Sequence, residues 1–244
     1  MAIKVLLNGA NGRMGRAILA AADPDRVEIV HKLDVGDQIE GAIGSVDVAI
    51  DFSHASATLP LVRSAARHGK AVVIGTTGHS EADRNAILEL KNSVPIVWSG
   101  NYSIGMNLLF HLSRIAARAL PESYEPEITE AHHHFKKDAP SGTALDLVRR
   151  ICEGRGWDAG ETVLSGRSGD TGERPRRQIG VHALRGGDVV GEHRVSFFGE
   201  GERIELKHLA TDRRIFAEGA LASALWVVGK APGFYEMQDV LKLR

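Results

Sequence analysis

A single cysteine, Cys152, among 244 residues removes any internal disulfide and any cysteine-based zinc cage. Charge of neither sign is in excess. The formal net charge is −1 with 25% of residues charged, so the balance argues for neither a nucleic-acid surface nor a disordered acidic tail. No apolar run approaches the roughly 20 residues of a membrane span. The opening Met1-Ala2-Ile3-Lys4-Val5-Leu6-Leu7 lacks the basic region, long apolar core and cleavage site of a signal peptide. Repeats and low-complexity linkers are missing too. These absences leave a cytoplasmic protein with a small-molecule partner, no nucleic acid and no membrane as the expectation. The length suits two modest domains, each able to bury its own core.

What is present begins with an alternation of short β-rich apolar runs and helical stretches as far as about Tyr102, the pattern of a parallel sheet covered by helices. Strands are predicted over 3–8, 27–33, 46–52, 71–74 and 96–98, and helices over 12–22, 57–68 and 80–91, the last opening on a capping signal at Ser80. The texture then changes. A helix over 106–120 precedes a strand-like run at 127–131 and a helix after Ser141, and strands follow over 178–184, 189–198 and 202–209. Gly199-Glu200-Gly201 between the last two is a hairpin signal, so these strands are expected to be antiparallel. A final helix over 214–229 would pack back on the first domain. The expected fold class is therefore α/β, with residues 1–103 plus 214–244 forming a Rossmann-like dinucleotide-binding domain. Residues 104–213 are expected to form a second domain of α+β type.

Strand 3–8 runs into Gly9-Ala10-Asn11-Gly12-Arg13-Met14-Gly15 and then into a helix. Glycines there permit a sharp turn and let backbone N–H groups approach a pyrophosphate at the helix N-terminus, while Gly15 allows close helix–strand packing. Asn11 stands where a strict G-x-G-x-x-G has its second glycine, and asparagine tolerates left-handed backbone better than most residues. Asp34 ends the second strand about 20 residues beyond the loop, the spacing at which a carboxylate accepts hydrogen bonds from a ribose 2′-hydroxyl and repels a 2′-phosphate. NADH is thus expected in preference to NADPH. Gly75-Thr76-Thr77-Gly78 and Ser99-Gly100-Asn101-Tyr102 also follow strands, where an open sheet binds its ligand.

The densest chemistry lies in Glu130-Ala-His-His-His-Phe-Lys-Lys-Asp-Ala-Pro-Ser-Gly-Thr-Ala144. His132 and His133 end an extended run, so they point to opposite faces and cannot do the same job. A histidine with an unperturbed pKa of about 6.5 is a natural proton donor near neutrality. Lys136 is a cation able to hold a carboxylate, stabilise developing charge or relay a proton. The helix start at Ser141-Gly142-Thr143 offers amides to an anion. No metal is expected, because the three consecutive histidines lack the convergent tetrahedral spacing of a zinc site. His54, His79, His182, His193 and His208 have no comparable context and read as structural or exposed.

The glycine loop with its Gly-Arg-Met-Gly ending, Gly75-Thr76-Thr77-Gly78, Asn101-Tyr102-Ser103-Ile104-Gly105 and above all 130–144 resemble the 4-hydroxy-tetrahydrodipicolinate reductase family, also called dihydrodipicolinate reductase, of the diaminopimelate route to lysine. The resemblance extends through Arg185-Gly186-Gly187, Gly191-Glu192-His193 and the closing Gly233-Phe-Tyr-Glu-Met-Gln-Asp-Val-Leu241. It implies a Rossmann-like domain, a second domain with an open mixed sheet, usually a homotetramer built through that sheet, and hydride transfer from NAD(P)H to a cyclic dicarboxylated imine. It further implies that His132 is the proton donor/acceptor, Lys136 a proton donor, and His133, Gly142 and Thr143 substrate-binding. Gly9, Ala10, Asn11, Gly12, Arg13, Met14, Asp34, Gly75, Thr76, Thr77, Ser99, Gly100, Asn101 and Tyr102 would bind the cofactor. Two departures stand out: the chain is short between the second and third strands, and Val35 sits where members that accept NADPH well often place arginine. Two other readings stay open, another Rossmann amino- or imino-acid dehydrogenase such as an aspartate dehydrogenase and a non-catalytic NADH-sensing protein. The first has no need of the whole 130–144 run; the second would lack a paired proton donor and carboxylate site.

Overall fold

The computed structural model describes residues 1–243, Glu161 by its backbone alone. In chain order the elements are β1 (Ile3–Asn8), α1 (Arg13–Ala21), β2 (Val27–Leu33), α2 (Glu40–Ile43), β3 (Val48–Asp51), α3 (Ala55–His68), β4 (Ala71–Ile74), α4 (Glu81–Glu89) with a 3₁₀ turn (Leu90–Asn92), and β5 (Pro95–Trp98). Then come α5 (Ile104–Ala119), β6 (Glu125–His132), α6 (Gly142–Arg155), α7 (Ala159–Thr162), β7 (Val163–Ser165), β8 (Ile179–Arg185), β9 (Gly191–Phe198) and β10 (Arg203–Ala210). The chain closes with α8 (Arg214–Val227), β11 (Gly233–Tyr235) and α9 (Met237–Val240). Two compact units result: Met1–Ile104 with the chain from Arg213 onward, and Gly105–Asp212.

The first unit is built on a six-stranded sheet in the order β11-β5-β4-β3-β1-β2, parallel throughout. Strands β3, β4 and β5 are buried at every residue, which is why they read as continuous apolar runs rather than alternating ones. Side chains of β1 divide between two cores: Val5 and Leu7 pack with Ile18 of α1 and Leu221 of α8, whereas Leu6 packs with Leu61 of α3 and Ile87 of α4. Each such fully buried aliphatic side chain contributes about 1.5–3 kcal/mol. The chain leaves β1 toward β2 on one side and returns as β3 on the other. The crevice at the carboxyl ends of β1 and β3 is therefore the switch point, where open α/β sheets bind ligands.

The second unit carries a five-stranded sheet, β10-β9-β6-β8-β7. Only part of it fits the antiparallel expectation: β10–β9 and β9–β6 are antiparallel, but β6–β8 and β8–β7 are parallel. The segment from β6 to β8 contains α6 and α7, and a helical crossover of that length returns a strand parallel to its predecessor. The hairpin signal is realised where Gly199 N–H donates to the Glu202 carbonyl. Along β6 burial alternates strictly, and Ile128 joins Val181, Val195 and Phe197 beneath Phe110 of α5 and Leu147 and Ile151 of α6.

Two glutamates of β6 give this unit an acid-sensitive element. Glu127 accepts from both terminal nitrogens of Arg167 (2.9 and 2.8 Å), from Arg174 Nε (3.1 Å) and from His182 (2.8 Å), fastening the chain around 167–174 to the sheet. Burial alone would raise its pKa, but these donors hold it at about 2, below the ordinary 4.5. Glu130 is likewise held at about 2, its burial outweighed by hydrogen bonds from His132, Arg185 and the Ser141 amide. A carboxyl group depressed in the folded state stabilises the fold above its unfolded pKa and ceases to do so as pH falls through the folded value. Urea midpoints should therefore drop steadily between pH 4.5 and 2, and Glu127→Gln should flatten part of that slope. A midpoint constant across this range would contradict the assignment.

Candidate active site

The first unit presents a nucleotide-sized crevice at the switch point. Gly9 has φ +86°, and a Cβ there would lie 2.4 Å from the Phe52 carbonyl oxygen. A Cβ on Gly15 would lie 2.2 Å from the Gly9 oxygen, so α1 starts hard against the end of β1 only because both positions lack side chains. Gly12, the N-cap of α1, has no side chain with which to close the helix, and a helix start without a side-chain cap is a kind of site that can take an anion. Left-handed backbone at Asn11 is not used: among the described residues Lys242 is the one non-glycine with positive φ. Asn11 instead donates its N–H to Asp34 Oδ2 at 2.9 Å, while Gly9 and Ala10 N–H groups donate to the Leu33 carbonyl. The loop and the end of β2 are thereby stapled. Asp34 is half-buried, and the Asn11 and Val35 amides hold its pKa below the usual aspartate range.

Beside the loop lies a cleft of about 510 Å³ lined by Arg13 and Met14, by residues 52–55 after β3 and by residues 75–78 after β4. Five residues of the predicted cofactor set, Arg13, Met14, Gly75, Thr76 and Thr77, line it together with Phe52, Ser53, His54 and Ala55, which were not in that set. Ser99, Gly100 and Asn101 follow β5, where Ser99 Oγ donates to the Asn101 carbonyl. Tyr102 is different. Its side chain is buried, with the hydroxyl 2.8 Å from the Ile74 oxygen and 3.2 Å from that of Val97, and burial pushes its pKa up. The ring ties β4 to β5 rather than facing a ligand.

Under the cleft sits a fully buried carboxyl group that sequence reasoning passed over. Asp51, the last residue of β3, accepts from Asn8 Nδ2 (2.9 Å) and Ser53 Oγ (2.5 Å) through Oδ1, and from Thr58 (2.6 Å) and Thr76 (2.9 Å) hydroxyls through Oδ2. One side chain thus holds the ends of β1, β3 and β4 and the first turns of α3. His79, read as lacking context, contacts the Thr58 hydroxyl at 2.9 Å and meets Trp98 edge-on.

In the second unit the carboxyl end of β6 forms a cluster centred on Glu130, which is fully buried. His132 Nδ1 lies 2.6 Å from Glu130 Oε2, Arg185 contacts both carboxylate oxygens at 2.8 Å, and the Ser141 N–H donates to Oε1 at 3.1 Å. Arg185 also donates to the Asp138 carbonyl (2.6 Å), and Lys136 Nζ pairs with the Asp138 carboxylate at 2.9 Å. That ion pair keeps Asp138 below the usual aspartate range. Ser141 caps α6 by accepting from the Ala144 N–H at 3.2 Å, and Gly142 and Thr143 form the first turn of that helix. His132, Lys136 and the α6 N-terminus are therefore linked through shared partners. As the alternation along β6 dictates, His132 is buried while His133 is half-buried and held by an N–H bond to the Val189 carbonyl.

His193 corrects the sequence reading. It is 4% exposed, its ring is 5.2 Å from that of His132, and its Nε2 is 3.3 Å from Ser141 Oγ. Burial first, and the neighbouring His132 second, push its pKa down to about 3, so it is a neutral wall of the site at physiological pH. The signal was present in the alternation of Gly191, His193, Val195 and Phe197 along β9, which puts His193 on the buried face. Glu130 and Arg185 were missed because their roles depend on the parallel pairing that sets His132 opposite Arg185.

A parallel sheet with a glycine loop at its switch point, joined to a mixed-sheet unit bearing a histidine, a lysine and an amide-lined helix start, defines a Rossmann-class oxidoreductase. Comparison with known proteins carries this further. Family models for the N-terminal and C-terminal parts of dihydrodipicolinate reductase match residues 3–102 and 105–241. A 4-hydroxy-tetrahydrodipicolinate reductase of Akkermansia muciniphila is 47% identical, the alignment covering 99% of this chain and 98% of the relative. One of Alkalilimnicola ehrlichii is 43% identical with both chains fully covered. The fold is that of a dipicolinate-bound dihydrodipicolinate reductase from Paenisporosarcina sp. TG-14, with a TM-score of 0.76 at 22% identity over 98% of this chain and 99% of that one. The chain belongs to the dihydrodipicolinate reductase family.

Proposed function

We propose that this protein reduces 4-hydroxy-tetrahydrodipicolinate to tetrahydrodipicolinate, with NADH preferred over NADPH, in the cytoplasm and as a homotetramer. The observation that carries the reading is the linkage of His132, Lys136 and the first turn of α6 through Glu130, Arg185 and Asp138. Loss of water from the substrate yields a conjugated cyclic imine bearing two carboxylates. A bound nicotinamide, whose pyrophosphate the Gly9–Gly15 loop fits, supplies hydride to that ring. The negative charge left on the conjugated system is then quenched by a proton from His132. Lys136 holds a substrate carboxylate or steadies the developing charge. The other carboxylate rests on the Gly142 and Thr143 amides at the positive end of α6, with His133 completing the substrate shell. Oxidation of NADH by the purified protein, followed at 340 nm with the product of aspartate semialdehyde–pyruvate condensation, tests the assignment; turnover no faster than without the condensation product overturns it.

Cofactor choice rests on Asp34 and Val35. A carboxylate offers about four acceptor sites, of which backbone N–H groups take two, leaving others for a ribose 2′-hydroxyl. Val35 is 96% exposed and supplies no positive charge to a 2′-phosphate. The expected result is a higher kcat/KM for NADH, with Asp34→Gly combined with Val35→Arg shifting the ratio toward NADPH by about tenfold or more, a difference of about 1.4 kcal/mol. A wild-type preference for NADPH would sink this part. Support for the tetramer comes from the sheet face opposite α6, where Leu184 and Leu209 are more than half exposed, and support for the cytoplasm from the free, buried Cys152.

A further inference from the structure

We propose that Glu130 and Arg185 act together as a positioning pair that fixes which ring nitrogen of His132 meets the substrate, an inference that rests on the reductase reading above. Glu130 is an acceptor with every side occupied: His132 Nδ1 and Arg185 Nη1 on Oε2, and Arg185 Nη2 and the Ser141 N–H on Oε1. An ionised carboxylate cannot donate, so the 2.6 Å contact requires the proton on Nδ1. The exchangeable site of His132 is then Nε2. Gly191 leaves that atom room, since a Cβ at 191 would lie 3.2 Å from Nε2.

Arg185 gives the pair its second property. A lone buried carboxylate against an imidazole favours the imidazolium strongly and would make it reluctant to give up its proton. A guanidinium spread over both oxygens shares that charge, so the ring is oriented by a charge pair rather than by a lone anion. His193, which burial keeps neutral, faces His132; around His193 lie His208 and Lys136, whose charge Asp138 partly offsets. The Ser141 amide extends the same device to the helix that would receive a carboxylate. One buried side chain thus sets the proton donor and the anion site in mutual register.

The two members should move the pH profile in opposite directions, which a merely structural role would not do. Glu130→Gln should shift the alkaline limb of kcat/KM to lower pH by about 1–2 units, and Arg185→Met should shift it upward by about 1 unit. Shifts of the same sign, or none, would overturn the pair. ¹⁵N-histidine spectra of the wild-type protein across pH give an independent test that survives misfolding of either variant: neutral His132 should carry its proton on Nδ1, and a proton on Nε2 would refute the proposal. Because the spectra need no turnover, an inactive protein with the Nδ1–H ring would count against the reductase reading alone. An active one with the Nε2–H ring would count against the pair alone.

Discussion

His132→Gln is expected to lower kcat by about 10²–10⁴-fold while KM changes by no more than a few-fold, the signature of a group that acts in the transition state. Glutamine can keep a hydrogen bond to Glu130 through its amide N–H, so the buried carboxylate is not left unpaired and the β6 register is preserved. What it cannot do is release a proton to a carbanionic ring near neutrality. The loss should therefore appear in the chemical step, in single-turnover experiments as well as at steady state, with an unchanged melting temperature. Unchanged kcat would remove His132 from the mechanism. A fall in kcat matched by a fall in melting temperature would show that the residue serves packing alone.

That prediction was reachable from the sequence because its parts lie close together there. His132, Lys136 and the Ser141 cap fall within ten residues, so alternation along a strand and a capping pattern suffice to place them near one another. The parallel sheet was legible for a related reason: β3, β4 and β5 are buried on both faces and stand out as apolar runs between turn residues. By contrast β7 and β11, three residues each, have no period of their own and exist because β8 and β5 offer them an edge. The parallel placement of β8 beside β6 was hidden by the hairpin signal that follows it. That pairing brings Arg185 to Glu130 across 55 positions, and the β9–β6 pairing brings His193 up to His132. Local patterning identifies which residues can react; the residues that orient them depend on register, which no short window contains.

Asp51 is the other position where a single change should have a large effect, for a reason that only the folded chain supplies. Asp51→Ala leaves Asn8 Nδ2 and the hydroxyls of Ser53, Thr58 and Thr76 without their common acceptor, at a site with no exposure to solvent. Stranding donors of this kind costs about 1–3 kcal/mol each when nothing replaces the partner. Water entering the small space and rotation of the hydroxyls recover part of that, so a net loss of about 3–5 kcal/mol is expected, comparable to breaking a buried charged pair. The damage should also reach the cleft. Asn8 precedes the glycine loop, and Ser53 and Thr76 line the wall, with the Ser53 N–H itself bonded to Thr76 Oγ1 at 3.0 Å. Loosening those three ends should weaken NADH binding by about tenfold or more while leaving the tautomer of His132, in the other unit, as it was. Urea denaturation gives the first quantity and fluorescence titration with NADH the second. Native stability together with native NADH affinity would mean that the four donors find other partners, and the view of Asp51 as the anchor of this crevice would fall.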